Sequence, residues 1–208
     1  MKGIQLYGKT QRFKEAEMTV IVTEKLDGSN LTLFKKDGQL YIAQRRNVFT
    51  MDQLDEIGYK GLKEWIIEHG ADLEAEMHED SAIIGEWLGM SPYRNQYDSP
   101  FQMFAKANIT KEYKLVNIKY DADKFIYPFQ QKIVPDYIGQ VPVIGTFNHF
   151  LKTEDLDDLY ADYIETVDRP VEGFIINILG NIRKYVRAKR GRIEPHVESY
   201  EQYQKTTQ

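Results

Sequence analysis

The chain contains no cysteine, which removes disulfides, thiolate zinc sites and a cysteine nucleophile at once. No apolar run approaches the roughly 18 residues of a membrane span, and the opening stretch MKGIQLYGKTQRFKEAE lacks the apolar segment of a secretory signal. A cytoplasmic protein with no membrane partner is the expectation. Proline is sparse, at 7 residues, and the 14 glycines form no linker with it. No internal repeat or low-complexity tract appears, so the 208 residues read as one domain, 1–208, expected to be a monomer and long enough to bury a core without staples. Histidine is scarce too. His69, His78, His149 and His196 have no metal-ligand spacing. The net charge of −5 argues against a protein that coats nucleic acid nonspecifically.

What charge there is lies unevenly. From Asp52 to Asp80 ten acidic residues stand against two basic ones, whereas Arg183, Lys184, Arg187, Lys189, Arg190 and Arg192 put six cations into ten residues. The acidic stretch reads as a solvated helical face. The basic run falls on a strand pattern. Segments rich in β-branched and aromatic residues recur: MTVIVTE, NLTLFKK, QLYIAQR, AIIGEWL, FQMFAKA, YKLVNIKY, VPVIGTF, VEGFIINIL and NIRKYVRA. Asp37-Gly38 and Gly180-Asn181 are tight-hairpin signals and imply antiparallel pairing. Helical spacing predicts one helix from Asp52 to about His69, stopped by Gly70, and a second capped by Thr153. The class is therefore α+β, with antiparallel sheets and inserted helices.

Glu24-Lys25-Leu26-Asp27-Gly28-Ser29-Asn30 follows the apolar run Val20-Ile21-Val22. Alone, it also fits a hairpin with Asp-Gly at its tip. Lys35-Lys36-Asp37-Gly38 meets the same Lys-x-Asp-Gly pattern, but clean alternation on both sides marks it as an ordinary hairpin tip. Around Lys25 other residue types recur on strands. Arg45 lies on the next hairpin's return strand. Glu86 interrupts the apolar strand IIGEW, where a charge needs a reason. Glu172 repeats that arrangement in VEGFII, and Arg187 and Lys189 share one side of the following strand by the period of two.

This ordered set resembles the covalent nucleotidyltransferase superfamily of polynucleotide ligases and mRNA capping enzymes, and most closely the RNA ligases of the bacteriophage RNA ligase 2 type. The resemblance rests on Lys25 in EKLDGSN, Arg45 in AQRRN, Glu86 in IIGEW, Phe104 in FQMFA, Glu172 in EGFII and Lys189 in YVRAK. It implies an antiparallel adenylation domain of ATP-grasp-like type. It further implies a lysine that attacks the α-phosphate of ATP, forms lysyl-AMP and passes AMP to a 5′-phosphate end, which a 3′-hydroxyl then seals. The Ser29-Asn30 ending is similar to RNA ligases, where DNA ligases more often carry Arg in place of Asn30. The 24 residues before Lys25 favour ATP over NAD, and the 19 after Lys189 leave no room for an appended OB-fold.

The chemistry asks much of Lys25. A free lysine has a pKa near 10.4, so about one in two thousand is neutral at pH 7; desolvation or neighbouring cations such as Arg45 and Lys189 are the usual remedies. By resemblance Glu24 and Lys189 contact the nucleotide, Asn30 contacts the nucleotide or the acceptor end, Glu86 holds the ribose, Phe104 stacks on the base and Glu172 binds or orients Mg²⁺ or Mn²⁺. Phe101 remains a rival to Phe104. Arg187 departs from the family, which usually has Lys there, and suits a bidentate phosphate contact. Tyr93, Arg94 and Tyr97 form a loop that either stacks on nucleotides or packs on the surface. RNA ends, free or within a nicked duplex, are the expected partner. A DNA ligase, a capping guanylyltransferase core and a noncatalytic module for nucleic-acid ends stay open as alternatives. Treating Glu86 and Glu172 as a glycosidase acid–base pair would leave Lys25 and Arg45 unexplained.

Overall fold

The computed structural model describes residues 19–44, 47–89, 91, 94–120, 128–131 and 133–187. Its architecture is mixed, built from antiparallel sheets and few helices. β1 (Val20–Glu24) alternates buried and half-buried positions, as a strand with helix on one face should. It lies inside a four-stranded sheet between β9 (Val143–Phe147) and β10 (Gly173–Ile178), and β11 (Asn181–Val186) forms the far edge. α1 (Leu62–Glu76) belongs to the other sheet, whereas α2 (Thr153–Thr166) covers this one. Val20, Val22, Phe174, Ile176 and Tyr185 form a core with Leu156, Leu159, Tyr160 and Tyr163 of α2.

The larger sheet runs β4 (Asn47–Phe49), β3 (Gln39–Gln44), β2 (Ser29–Lys36), β5 (Ser81–Trp87), β6 (Phe101–Ile109) and β7 (Leu115–Lys119), with β8 (Gly139–Gln140) pairing parallel to β6. Leu31, Leu33, Ile42, Ile83, Phe101 and Met103 of this sheet pack on Leu62, Trp65, Ile66 and Leu73 of α1. Asp37 and Gly38 both have positive φ, 51° and 76°, the conformation that a two-residue hairpin requires. The lysines beside that turn are structural: Lys35 Nζ donates to the Glu74 carbonyl and Lys36 Nζ pairs with Asp80.

Several sequence expectations shift. The stretch expected as one helix from Asp52 to His69 is a 3₁₀ turn, Met51–Glu56, a break at Gly58 and Gly61, and then α1. Gly70 sits inside α1, buried against Met51, and does not stop it. Thr153 is the first helical residue of α2, and the Asp155 carboxylate accepts the Lys152 N–H at 2.7 Å. The second hairpin turns on Leu179-Gly180, one residue earlier than expected. β4 and β8 are too short to show a period in the sequence. Among the described residues no helix is long and apolar enough to cross a membrane.

Candidate active site

At the end of β1 the strand pleat sends Glu24 toward α2 and Lys25 the other way, into a cavity of about 260 Å³. Thr23, Ile175 and Asn177 line it from the four-stranded sheet, and Glu86 and Phe104 from the larger one. The Lys25 backbone N–H donates to the Gly173 carbonyl at 2.9 Å, which sets the lysine beside the start of β10. Glu172 precedes that glycine, and Lys25 Nζ lies 2.5 Å from Glu172 Oε2 with both side chains mostly shielded.

Two glycines make these approaches possible. A Cβ on Gly173, whose φ is +147°, would stand 2.0 Å from the Tyr185 carbonyl oxygen. A Cβ on Gly28 would stand 2.6 Å from the Trp87 carbonyl and 2.8 Å from Glu86 Cγ. The glycine of EKLDGSN thus lets the loop after Lys25 lie directly on the end of β5 that carries Glu86.

Phe104 reaches the cavity through a defect in the ladder. Ile84 pairs with Ala105 and Gly85 with Met103, so Phe104 is the extra residue of a β-bulge. Phe101 is fully buried in the α1 core, 6.0 Å from Trp65 between ring centroids, and does not border the cavity. Tyr120, which the sequence reading did not single out, also lines it. Its ring is parallel to that of Phe104 within 6°, with centroids 6.4 Å apart.

Other expected site residues lie elsewhere. Glu24 borders the cavity, but its carboxylate points to the α2 side, where Arg169 donates to both oxygens at 2.6 Å, Tyr97 at 2.7 Å and Tyr163 at 2.8 Å. Its side chain is 1% exposed and that of Arg169 6%, so this is a buried ion pair and not a free nucleotide ligand. Burial, then the Glu24 charge, pushes the Tyr163 phenol up to about 12 and raises Tyr97 further still. Tyr97 is no stacking platform here, because the Arg169 guanidinium covers its ring at 4.5 Å. Arg187 likewise turns from the cavity: it pairs with Asp157 of α2 and bonds the Tyr185 hydroxyl. Strand alternation explains this, since Tyr185 and Arg187 share the helix-facing side of the β11 line. Asn30 is the cross-strand neighbour of Glu86 and does not itself line the cavity. Arg45, Lys189, Tyr93 and His196 lie outside the described residues. No cluster of three or more metal-ligating side chains occurs among the described residues.

A lysine, the Glu86 carboxylate and a half-buried aromatic line one largely apolar cavity, and Glu172 pairs with the lysine amine, a set of groups able to hold a flat base and an amine in one site. The RNA ligase family model matches residues 18–190, and the chain belongs to that family. Among solved structures it is similar to an archaeal ATP-dependent RNA ligase, at 18% identity and a TM-score of 0.49 over 81% of this chain and 42% of that one. It is also similar to an RNA ligase from Naegleria gruberi determined with ATP and manganese, at 17% identity and a TM-score of 0.49 over 82% of this chain and 50% of that one. The chain thus spans half or less of the length of these proteins. No curated protein matches it.

Proposed function

We propose that this chain is the nucleotidyltransferase portion of an ATP-dependent RNA ligase that seals 5′-phosphate and 3′-hydroxyl ends through lysyl-AMP. The observation that carries the reading is Lys25 facing a cavity that Glu86 and Phe104 also line, with Glu172 in contact with its amine. The neutral Nζ attacks the α-phosphorus of ATP. A P–N bond forms, the bond from that phosphorus to the bridging oxygen breaks, and pyrophosphate leaves. A 5′-phosphate oxygen then displaces the lysine, and the 3′-hydroxyl displaces AMP.

The chain's own side chains divide the work. Phe104 stacks on the base, a contact worth roughly 1–3 kcal/mol, and Glu86 accepts from the ribose hydroxyls. Glu172 holds Lys25 in the resting site and is also the carboxylate for Mg²⁺ or Mn²⁺. Such an ion takes one or two protein carboxylates and completes its shell with phosphate oxygens and water, so a single carboxylate suits it. When bound, the ion supplies charge neutralisation on the phosphates. Lys189 and Arg45 remain proposed phosphate contacts, and Asn30 acts beside Glu86 toward the acceptor end. The layout is consistent with an adenylation domain of ATP-grasp-like type.

Incubation with labelled ATP and Mg²⁺ should leave AMP covalently on the wild-type chain and none on Lys25→Ala. An adduct that survives Lys25→Ala would refute the assignment. GTP offered beside ATP, then nicked RNA beside nicked DNA, separates RNA ligase from guanylyltransferase and DNA ligase. The diversion of Arg187 to Asp157 favours a second reading, a noncatalytic module that binds nucleic-acid ends. Oligonucleotide binding with no adduct would select it.

A further inference from the structure

The short connection from Asp168 to Gly173 touches the Glu24-Lys25 pair from both faces of β1. On the α2 side Arg169 donates two hydrogen bonds of 2.6 Å to the Glu24 carboxylate. On the cavity side Glu172 holds Lys25 Nζ at 2.5 Å, and the Gly173 carbonyl accepts the Lys25 N–H at 2.9 Å. Pro170 lies between the two grips and fixes its own φ. The same carboxylate reaches the other sheet, because Tyr97, on the connection between β5 and β6, donates to Glu24 at 2.7 Å. The adjacent Gln96 side-chain amide donates to the Asp168 carbonyl at 2.9 Å.

From this geometry we infer that Arg169 and Tyr97 are positioning residues for Lys25. They clamp Glu24 from the two layers that bound the cavity and so fix the direction in which the next residue points its amine. In a strand successive side chains point to opposite faces, so holding Glu24 on the α2 side keeps Lys25 on the cavity side. A bidentate guanidinium–carboxylate pair restrains orientation as well as distance, which a lysine in its place would not. A buried ion pair is also a weak contributor to stability compared with an apolar pair of similar size, so orientation is the better account of its presence. The inference rests on the ligase reading for its meaning. The clamp itself is testable without it.

Three variants carry the test: Arg169→Lys, Tyr97→Phe, and the double Glu24→Leu with Arg169→Met, which replaces the ion pair by apolar contact. The rate of lysyl-AMP formation at saturating ATP should fall at least about fivefold in Arg169→Lys and in the double variant, the factor that one hydrogen bond of ordinary net worth carries. KM for ATP should stay within about twofold, because the clamp faces away from the nucleotide. Tyr97→Phe should show a smaller loss of the same kind. The double variant leaves the Tyr97 and Tyr163 hydroxyls without their acceptor, so it should melt below wild type and, assayed below its melting point, remain slow.

In parallel, without nucleotide, an amine-acylating reagent read by peptide mass spectrometry should modify Lys25 severalfold faster in the variants than in wild type, relative to the exposed Lys111. A double variant that adenylylates at the wild-type rate would overturn the inference, as would an unchanged Lys25-to-Lys111 acylation ratio. If wild type forms no adduct with any nucleoside triphosphate, the ligase reading falls and the acylation ratio alone decides the clamp. If the double variant does not fold, the same ratio in Arg169→Lys and Tyr97→Phe decides it.

Discussion

The same small substitution made at two glycines should have very different consequences. Gly173 and Gly180 both have positive φ, +147° and +89°. Around Gly180 an added Cβ meets nothing within 4 Å, whereas at Gly173 it would lie 2.0 Å from the Tyr185 carbonyl oxygen. Gly180→Ala should therefore cost only its backbone strain, about 1–2 kcal/mol. Gly173→Ala adds a collision that forces β10 and β11 apart. It threatens the bond from Lys25 N–H to the Gly173 carbonyl, 2.9 Å, and the one from Arg187 N–H to the Glu172 carbonyl, 2.8 Å. Strain of about 1–3 kcal/mol and two bonds of about 1 kcal/mol each give a loss of about 3–5 kcal/mol. At about 2–4 °C per kcal/mol for a domain of this size, the melting temperature should drop by about 6–20 °C, against a few degrees for Gly180→Ala. Differential scanning calorimetry reads both. Lysyl-AMP formation, measured below both melting points, should fall only in Gly173→Ala. Equal melting shifts and equal labelling in the two variants would refute the close-approach argument.

Phe104→Ala should weaken ATP binding by a factor of about 5–150, the equivalent of 1–3 kcal/mol of stacking, in a calorimetric titration. Phe101→Ala should instead cost about 3–5 kcal/mol of stability, as for a fully buried aromatic. Arg187→Ala should change stability by less than about 1 kcal/mol, since its pair with Asp157 is about a third exposed, and leave the adenylylation rate near wild type; a large rate loss would show that the arginine reaches the cavity. Alkaline unfolding should report Tyr163, whose phenol is raised from 10.0 to about 12. Between these values the unfolded chain has lost the proton and the folded one keeps it, so stability is complete below pH 10 and declines toward pH 12. Tyr163→Phe should make the decline in melting temperature over that window less steep, the remainder coming from Tyr97, Tyr137 and Tyr185, whose phenols are also raised. Chelation by EDTA, or Glu172→Ala, should abolish the covalent adduct, and chelation should leave the melting temperature unchanged.

Much of this arrangement is legible from the residues. Richness in β-branched and aromatic residues marked β1 and β10, and clean alternation around Asp37-Gly38 marked the first hairpin, because composition, local periods and turn chemistry are short-range properties. The sequence grouped Lys25, Glu86, Phe104 and Glu172; the first three line one cavity and Glu172 pairs with Lys25. Illegible features depend on distant partners or on breaks in period. Glu24 read as a nucleotide ligand because its partner Arg169 lies 145 residues away. Arg187 read as a phosphate contact because nothing local announces its partner Asp157. Tyr120 carried no motif. The expected helix from Asp52 mistook a 3₁₀ turn plus α1 for one element, since apolar spacing alone does not register a left-handed break such as Gly61, φ +75°.

The bulge at Phe104 means that β6 reads in one phase before that position and in the other after it. Excising the residue would restore an unbroken ladder between Met103 and Ala105, so the sheet could close over the gap with its hydrogen bonds intact. A chain shortened by this one residue would then keep its scaffold while losing its aromatic shelf. Under the proposed function, recognition of a base depends on an insertion that the scaffold tolerates but does not need.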